Sequence, residues 1–120
     1  MHELAISRSI ASIAERSAHA RLARGGTVTT VEVDIGHLRQ VVPETLVWAW
    51  SFVTEGTALD SSRLAVNHIP AVLRCRACGA QTVLTDVFTL TCGTCGDGNV
   101  EVISGDEMVV VALIVEDNNG

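Results

Sequence analysis

Hydrophobic and polar positions follow two rhythms along this chain, and each predicts its own kind of element. Over residues 4–24, Ile6, Ile10, Ile13, Ser17 and Ala20 recur at steps of three and four, while Glu15, Arg16 and His19 turn mostly away. That is the period of an amphipathic helix, and Gly25-Gly26 ends it. The rhythm then shortens to two. Val31, Val33 and Ile35 alternate with Glu32 and Asp34, which predicts a strand with one wet face, closing at Gly36. After a loop from His37 to Val42, Pro43 suits the first turn of a second helix and Glu44 its positive dipole end. Leu46, Val47 and Trp50, with Val53 or Ala49, form the expected buried stripe before Gly56, widened by Trp48 and Phe52.

Residues 64–69 predict another strand, stopped by Pro70, with His68 in alternation with Leu64 and Val66 as a packed or half-exposed sheet residue. Near the end, Ser104-Gly105-Asp106 makes a turn, and the apolar run Met-Val-Val-Val-Ala-Leu-Ile-Val stands between Glu107 and Glu116. Being β-branched and apolar on both faces, it is expected as an interior strand of the sheet begun by residues 28–35 and 64–69. Residues 117–120 are expected to fray. The fold class is α+β: two helices packed on a three-stranded sheet, with a small inserted zinc-ribbon-like domain bearing two Cys-x-x-Cys knuckles. The domains fall at 1–70 with 104–120, and at 71–103.

Composition narrows the function. A chain of 120 residues holds one ordinary domain or two very small ones. No apolar run approaches the roughly 20 residues that span a bilayer, and the first residues lack the basic, apolar and small-residue segments of a signal peptide. A cytoplasmic protein with Met1 as its mature terminus is expected. The net charge of -6 repels phosphate backbones, which argues against a nucleic-acid partner. Arg8, Arg16, Arg21 and Arg24 are loosely clustered, and cations near a helix C-terminus are favourable in any case. No nucleophile with its base and no phosphate loop is evident, so an enzyme is not expected.

All four cysteines lie in residues 71–103, as Cys75-Arg-Ala-Cys78-Gly, thirteen intervening residues from Gly79 to Thr91, and Cys92-Gly-Thr-Cys95-Gly. Each turn lets two sulfurs converge on one ion, and two turns complete a tetrahedral shell. Val83, Leu84, Val87, Phe88 and Leu90 are too few for an independent core, so metal is expected to supply the missing stability. Structural zinc on Cys75, Cys78, Cys92 and Cys95 is the expectation, with a rubredoxin-like iron site as the alternative for the same donors. Four thiolates leave no open position for catalysis.

At the other end, Met1-His2-Glu3 sets an imidazole beside an α-amine. Amine, peptide nitrogen and imidazole can wrap one cation in fused chelate rings, a nitrogen-rich set suited to Ni(II) or Cu(II). Protons compete for both groups, so affinity is expected to fall as pH drops through roughly 7.5 to 6. The bland alternative is an idle exposed histidine, with Glu3 complementing the first helical turn.

Taken together, the Met-His-Glu start, the strand ending in glycine, the Pro-Glu helix, the paired knuckles and the Ser-Gly-Asp-Glu entry to the last strand resemble the HypA/HybF family along essentially the whole chain. That family consists of nickel metallochaperones for [NiFe]-hydrogenase maturation, some also serving urease. The resemblance implies a nickel site made by the Met1 amine, the His2 side chain and the backbone nitrogens of His2 and Glu3, besides the zinc site. It also implies a HypB-type GTPase and the hydrogenase large-subunit precursor as partners, with no membrane role and with a homodimer left open. Two departures stand out. Val41 and Val42 occupy a loop where some members carry a carboxylate, and Gly79 and Gly96 stand where others place a histidine after a cysteine pair. Further nickel ligands are then His37, Glu44, water or the recipient. The competing reading is a zinc-ribbon interaction or regulatory module with no nickel role.

Overall fold

The computed structural model describes residues 2–85 and 89–117. Met1, Val87, Phe88 and residues 118–120, which figure in the expectations above, lie outside the described residues. Helix α1 runs Glu3–Ser17 and a short α2 follows at His19–Ala23. The single helix expected over 4–24 is therefore broken at Ala18, whose ψ of 3° leaves the helical region. Beyond the break, Arg21 clasps the Asp117 carboxylate through Nε and Nη2 at 2.8–3.1 Å.

The buried face of α1 is also rotated from the expected one. Glu3, Ser7, Ile10, Ala11, Ala14 and Ala18 are buried, whereas Ile6 and Ile13 are half-buried and Ser17 and Ala20 exposed. The reason is the neighbour: α1 packs on α3, Pro43–Thr54, and small residues let two helices approach closely. From α3, Leu46, Ala49, Trp50 and Thr54 are buried. Val47, Trp48 and Phe52, expected in that stripe, are instead exposed, the last two at 62% and 63%. At about 100° per residue, positions 48 and 52 share a face turned away from 46 and 50. Their rings contact each other there, with centroids 5.2 Å apart. Trp50 satisfies its buried indole by donating to Ser62 Oγ at 3.0 Å.

Strands β1 (Thr27–Gly36), β2 (Arg63–Ile69) and β6 (Met108–Glu116) form one sheet in the order β2-β1-β6. The centre belongs to β1, which buries Val28, Val31, Val33 and Ile35. The strand near the end, expected inside the sheet, is at its edge, with Val109, Val111 and Ile114 exposed. Its β-branched run specifies extended backbone but does not select a place in the sheet.

A second sheet, not expected in detail, has the order β4-β3-β5, with Val72–Cys75 (β3) antiparallel to both Gln81–Val83 (β4) and Val100–Ser104 (β5). Ala71, Leu73 and Leu84 make its small core, with Leu38 and Val100 packed against them. The chain divides into two compact units, Met1–Val33 with Val41–Asn67 and Val109–Gly120, and Asp34–Gln40 with His68–Met108. In the second, Gly36 lies so close to the Gly105 carbonyl that a Cβ there would collide with backbone, which is why β1 closes on a glycine.

Candidate metal centres

The two cysteine turns are built alike. In the first, Cys75 Sγ accepts the Cys78 N–H at 3.4 Å, Cys75 O accepts the Gly79 N–H at 2.9 Å, and the Cys75 N–H donates to Ala80 O at 2.9 Å. In the second, Cys92 Sγ accepts the Cys95 N–H at 3.4 Å and the Thr94 N–H at 3.3 Å, Cys92 O accepts the Gly96 N–H, and the Cys92 N–H donates to Asp97 O. Gly79 and Gly96 close these turns at φ of 79° and 78°, the left-handed region that favours glycine.

The four sulfurs lie within 4.8 Å of one another, with Cys75 and Cys95, and Cys78 and Cys92, each 3.6 Å apart. Cys75 and Cys92 are buried while Cys78 and Cys95 face outward. Such a set matches tetrahedral zinc, whose sulfur distance of about 2.3 Å places thiolates at this spacing. The amides of Cys95 and Thr94 draw the Cys92 thiol down to about 6. On Cys95 the Asp97 amide acts in the same direction, but the Cys75 sulfur, burial and the other two sulfurs outweigh it and push the thiol up to about 12. Without a cation, four thiolates in this volume repel one another, and zinc removes that conflict.

His2 is exposed at the N-cap of α1, where its carbonyl accepts the first intrahelical bond, from Ile6 N–H at 2.9 Å. Glu3 is 5% exposed, and its Oε2 accepts the Val42 N–H at 3.2 Å. The Val42 amide, and after it the backbone N–H of Glu3 itself, hold this carboxyl below its ordinary value against the opposing effect of burial. Position 42 thus meets Glu3 through its backbone, so a valine serves. Sequence reasoning missed this tie, since a main-chain donor leaves no trace in residue identity. Glu44 is exposed in the first turn of α3, and His37 opens a 3-10 turn, His37–Arg39, in the other unit.

A carboxyl whose pKa is lowered on folding contributes stability that is complete above its unfolded value, about 4.3, and lost as pH falls through the folded one. In the nickel-free chain, Glu3→Gln keeps an acceptor for Val42 but loses the charge that strengthens the bond, and is expected to cost about 1 kcal/mol near neutral pH. The difference between the two chains, followed at the amides of α1 and α3, should shrink as pH falls through the lowered value of the Glu3 carboxyl.

Fold and site together define a small α+β protein with a four-cysteine structural zinc site in one of its two units. A family model described as "Hydrogenase/urease nickel incorporation, metallochaperone, hypA" matches residues 1–115. The chain belongs to this HypA family of nickel-incorporation metallochaperones. Among its relatives, the hydrogenase maturation factor HypA of Geotalea uraniireducens (strain Rf4) is 36% identical over 116 residues, covering 97% of this chain and 100% of that one. The HypA of Nostoc sp. is 32% identical over 117 residues, covering 98% and 97%. The solution structure of the Ni metallochaperone HypA from Helicobacter pylori superposes with a TM-score of 0.66 at 23% identity, covering 98% of this chain and all of that one. No helix among the described residues is long and apolar enough to cross a membrane.

Proposed function

We propose that this protein binds Ni(II) at its N-terminus and delivers it to the precursor of a [NiFe]-hydrogenase large subunit, working with a HypB-type GTPase in the cytoplasm. Urease is a second acceptor of the same chemistry. The ligands are the Met1 amine, the His2 imidazole and the backbone nitrogens of His2 and Glu3. Zinc on Cys75, Cys78, Cys92 and Cys95 holds the second unit together, and the protein carries cargo without catalysing a reaction. One observation carries this reading: His2 stands exposed at the very start of α1 in a chain whose family is described as nickel-incorporating.

The position suits the chemistry. The first N–H groups of a helix have no intrahelical acceptor, so metal at the nitrogens of His2 and Glu3 breaks no helical bond and displaces the Glu3 N–H only from its own carboxylate, which keeps the Val42 donor. The positive end of the helix dipole disfavours a bare dication but favours amides that have lost their protons. Ni(II) with two such amide anions, a neutral amine and a neutral imidazole has no net charge, and the penalty disappears. A terminal, open set of this kind can be displaced ligand by ligand by an acceptor.

The competing reading, an interaction module with no nickel role, draws on the exposed Val83, Val102 and Ile103 of the zinc unit. A transfer experiment separates the two. Nickel-loaded protein mixed with nickel-free large-subunit precursor should lose its nickel to the precursor, and His2→Ala protein should transfer none. Binding of the precursor without any transfer is the result expected of an interaction module.

A further inference from the structure

The sheet β2-β1-β6 has two edges, and they are finished differently. A free edge presents unpaired N–H and C=O groups that template another strand, and natural edges are blunted by charged side chains or proline. β2 follows that rule: Arg63 and Asn67 are exposed on it, Asn67 Nδ2 donates to Glu32 Oε1 at 2.9 Å, and Pro70 stands just past its end. β6 does not. From Met108 to Val115 it carries neither charge nor proline, yet among the described residues it pairs only with β1.

Its side chains add to the exposure. Val109, Val111 and Ile114 are 46–53% exposed, and no residue of the strand is buried. An apolar row thus runs beside an unpaired backbone, and a further strand would cover both at once. The kind of strand follows from the charge. With none of its own, β6 offers no ion pair to a charged segment and matches best an apolar strand of its own length. The chain holds one, the β6 of a second copy. Antiparallel pairing about a two-fold axis brings the same residues of both copies together, the isologous arrangement of most dimers. Asp117, just past the strand, is already held by Arg21 at 2.8 Å and adds no unpaired charge to the contact.

We propose that β6 is the contact surface of a homodimer, in which two copies pair β6 antiparallel to β6 and join their three-stranded sheets into one. Two such strands, at 3.2–3.4 Å per residue, meet along roughly 30 Å. One strand edge is narrow, so the contact stays below the roughly 1,200 Å² at which stable interfaces begin. A net charge of -6 on each copy opposes the approach as well. The dimer is therefore weak and governed by concentration. It uses neither the terminal ligands nor the cysteines, and it does not rest on the nickel reading.

The test uses the zinc-loaded full-length chain without nickel. Sedimentation equilibrium is run from about 5 µM to about 1 mM, a span that brackets a weak interface. A reversible equilibrium between monomer and dimer is expected. In a mixture of differently isotope-labelled copies at the upper concentration, NMR should show contacts between the β6 backbones of the two copies. Val111→Lys, an exposed substitution, sets two like charges into each dimer contact and should weaken association about tenfold or more. Trp48→Lys places the same charge on the exposed face of α3 and should leave association as it was. The contacts are read on the native chain, so they decide the matter even if Val111→Lys disturbs the sheet. A chain that stays monomeric throughout overturns the proposal. So does a dimer whose contacts between copies lie on α3 or elsewhere outside β6, or a folded Val111→Lys chain that associates as the parent does.

Discussion

Replacing Cys92 by serine should leave the chain without zinc and unfold residues 72–104. Cys92 is buried, and its sulfur accepts the amides of Thr94 and Cys95, so it organises its own turn as well as ligating. The apolar core beside it consists of Ala71, Leu73 and Leu84, with Leu38 and Val100 half-buried, which is too little to pay for ordering the segment. Zinc in small modules contributes roughly 10–16 kcal/mol of folding free energy, more than any other source available here. Metal analysis should fall from about one zinc per chain to near none, and the amide dispersion of β3, β4 and β5 should collapse in the same sample. A zinc-free variant with a native spectrum of those strands would show that the core is sufficient alone.

The second large effect concerns nickel. His2→Ala removes the only side-chain donor of the proposed terminal set, leaving a single amine and backbone nitrogens that hold their protons unless a neighbouring ligand anchors the metal. A loss of nickel affinity of about a hundredfold or more is expected, since each lost anchor ligand also costs a fused chelate ring. The change should leave stability almost untouched, because His2 is exposed. In the parent chain, nickel affinity should fall on acidification while zinc is retained, because protons compete for the lone pairs of amine and imidazole. Equal affinity at pH 7.5 and pH 6 would place the nickel on other donors.

Much of this was legible in the residues, for identifiable reasons. The cysteine turns, the glycines that close them and the bounds of α3, β1 and β2 all depend on local signals: spacing, positive φ, proline and alternation. What failed depended on neighbours. The register of α1 was read from its isoleucines, but contact with α3 rewards the small Ser7, Ala11 and Ala14, which rotates the helix about its axis. Trp48 and Phe52 widen the apolar stripe of α3 in the sequence, but their angular position opposes Leu46 and Trp50, and it leaves them exposed. The run at 108–116 carried strand propensity but no information about which strand has partners on both sides. Strands β3, β4 and β5 are three to five residues long with polar positions interspersed, too short for a period to register. The Glu3 to Val42 bond and the meeting of His37 with His68 join residues more than thirty positions apart, beyond the reach of any pattern along the chain.

The exposed Trp48 and Phe52 have a structural consequence near the start of α1. With Glu3, Leu4, Thr45 and Ala49 they line a mainly apolar cavity of about 240 Å³, in the same unit as His2. Glu3 and Leu4, which open α1, thus share an apolar recess with the exposed rings of α3.

The free amine of Met1 is the proposed nickel ligand on which delivery depends, and one comparison tests it directly. Calorimetric titration of Ni(II) into zinc-loaded native protein and into the same chain with two residues added before Met1 should show a tight equivalent in the first that is missing from the second. If the extended chain binds this equivalent as tightly as the native one, the amine is not a ligand and nickel is carried elsewhere.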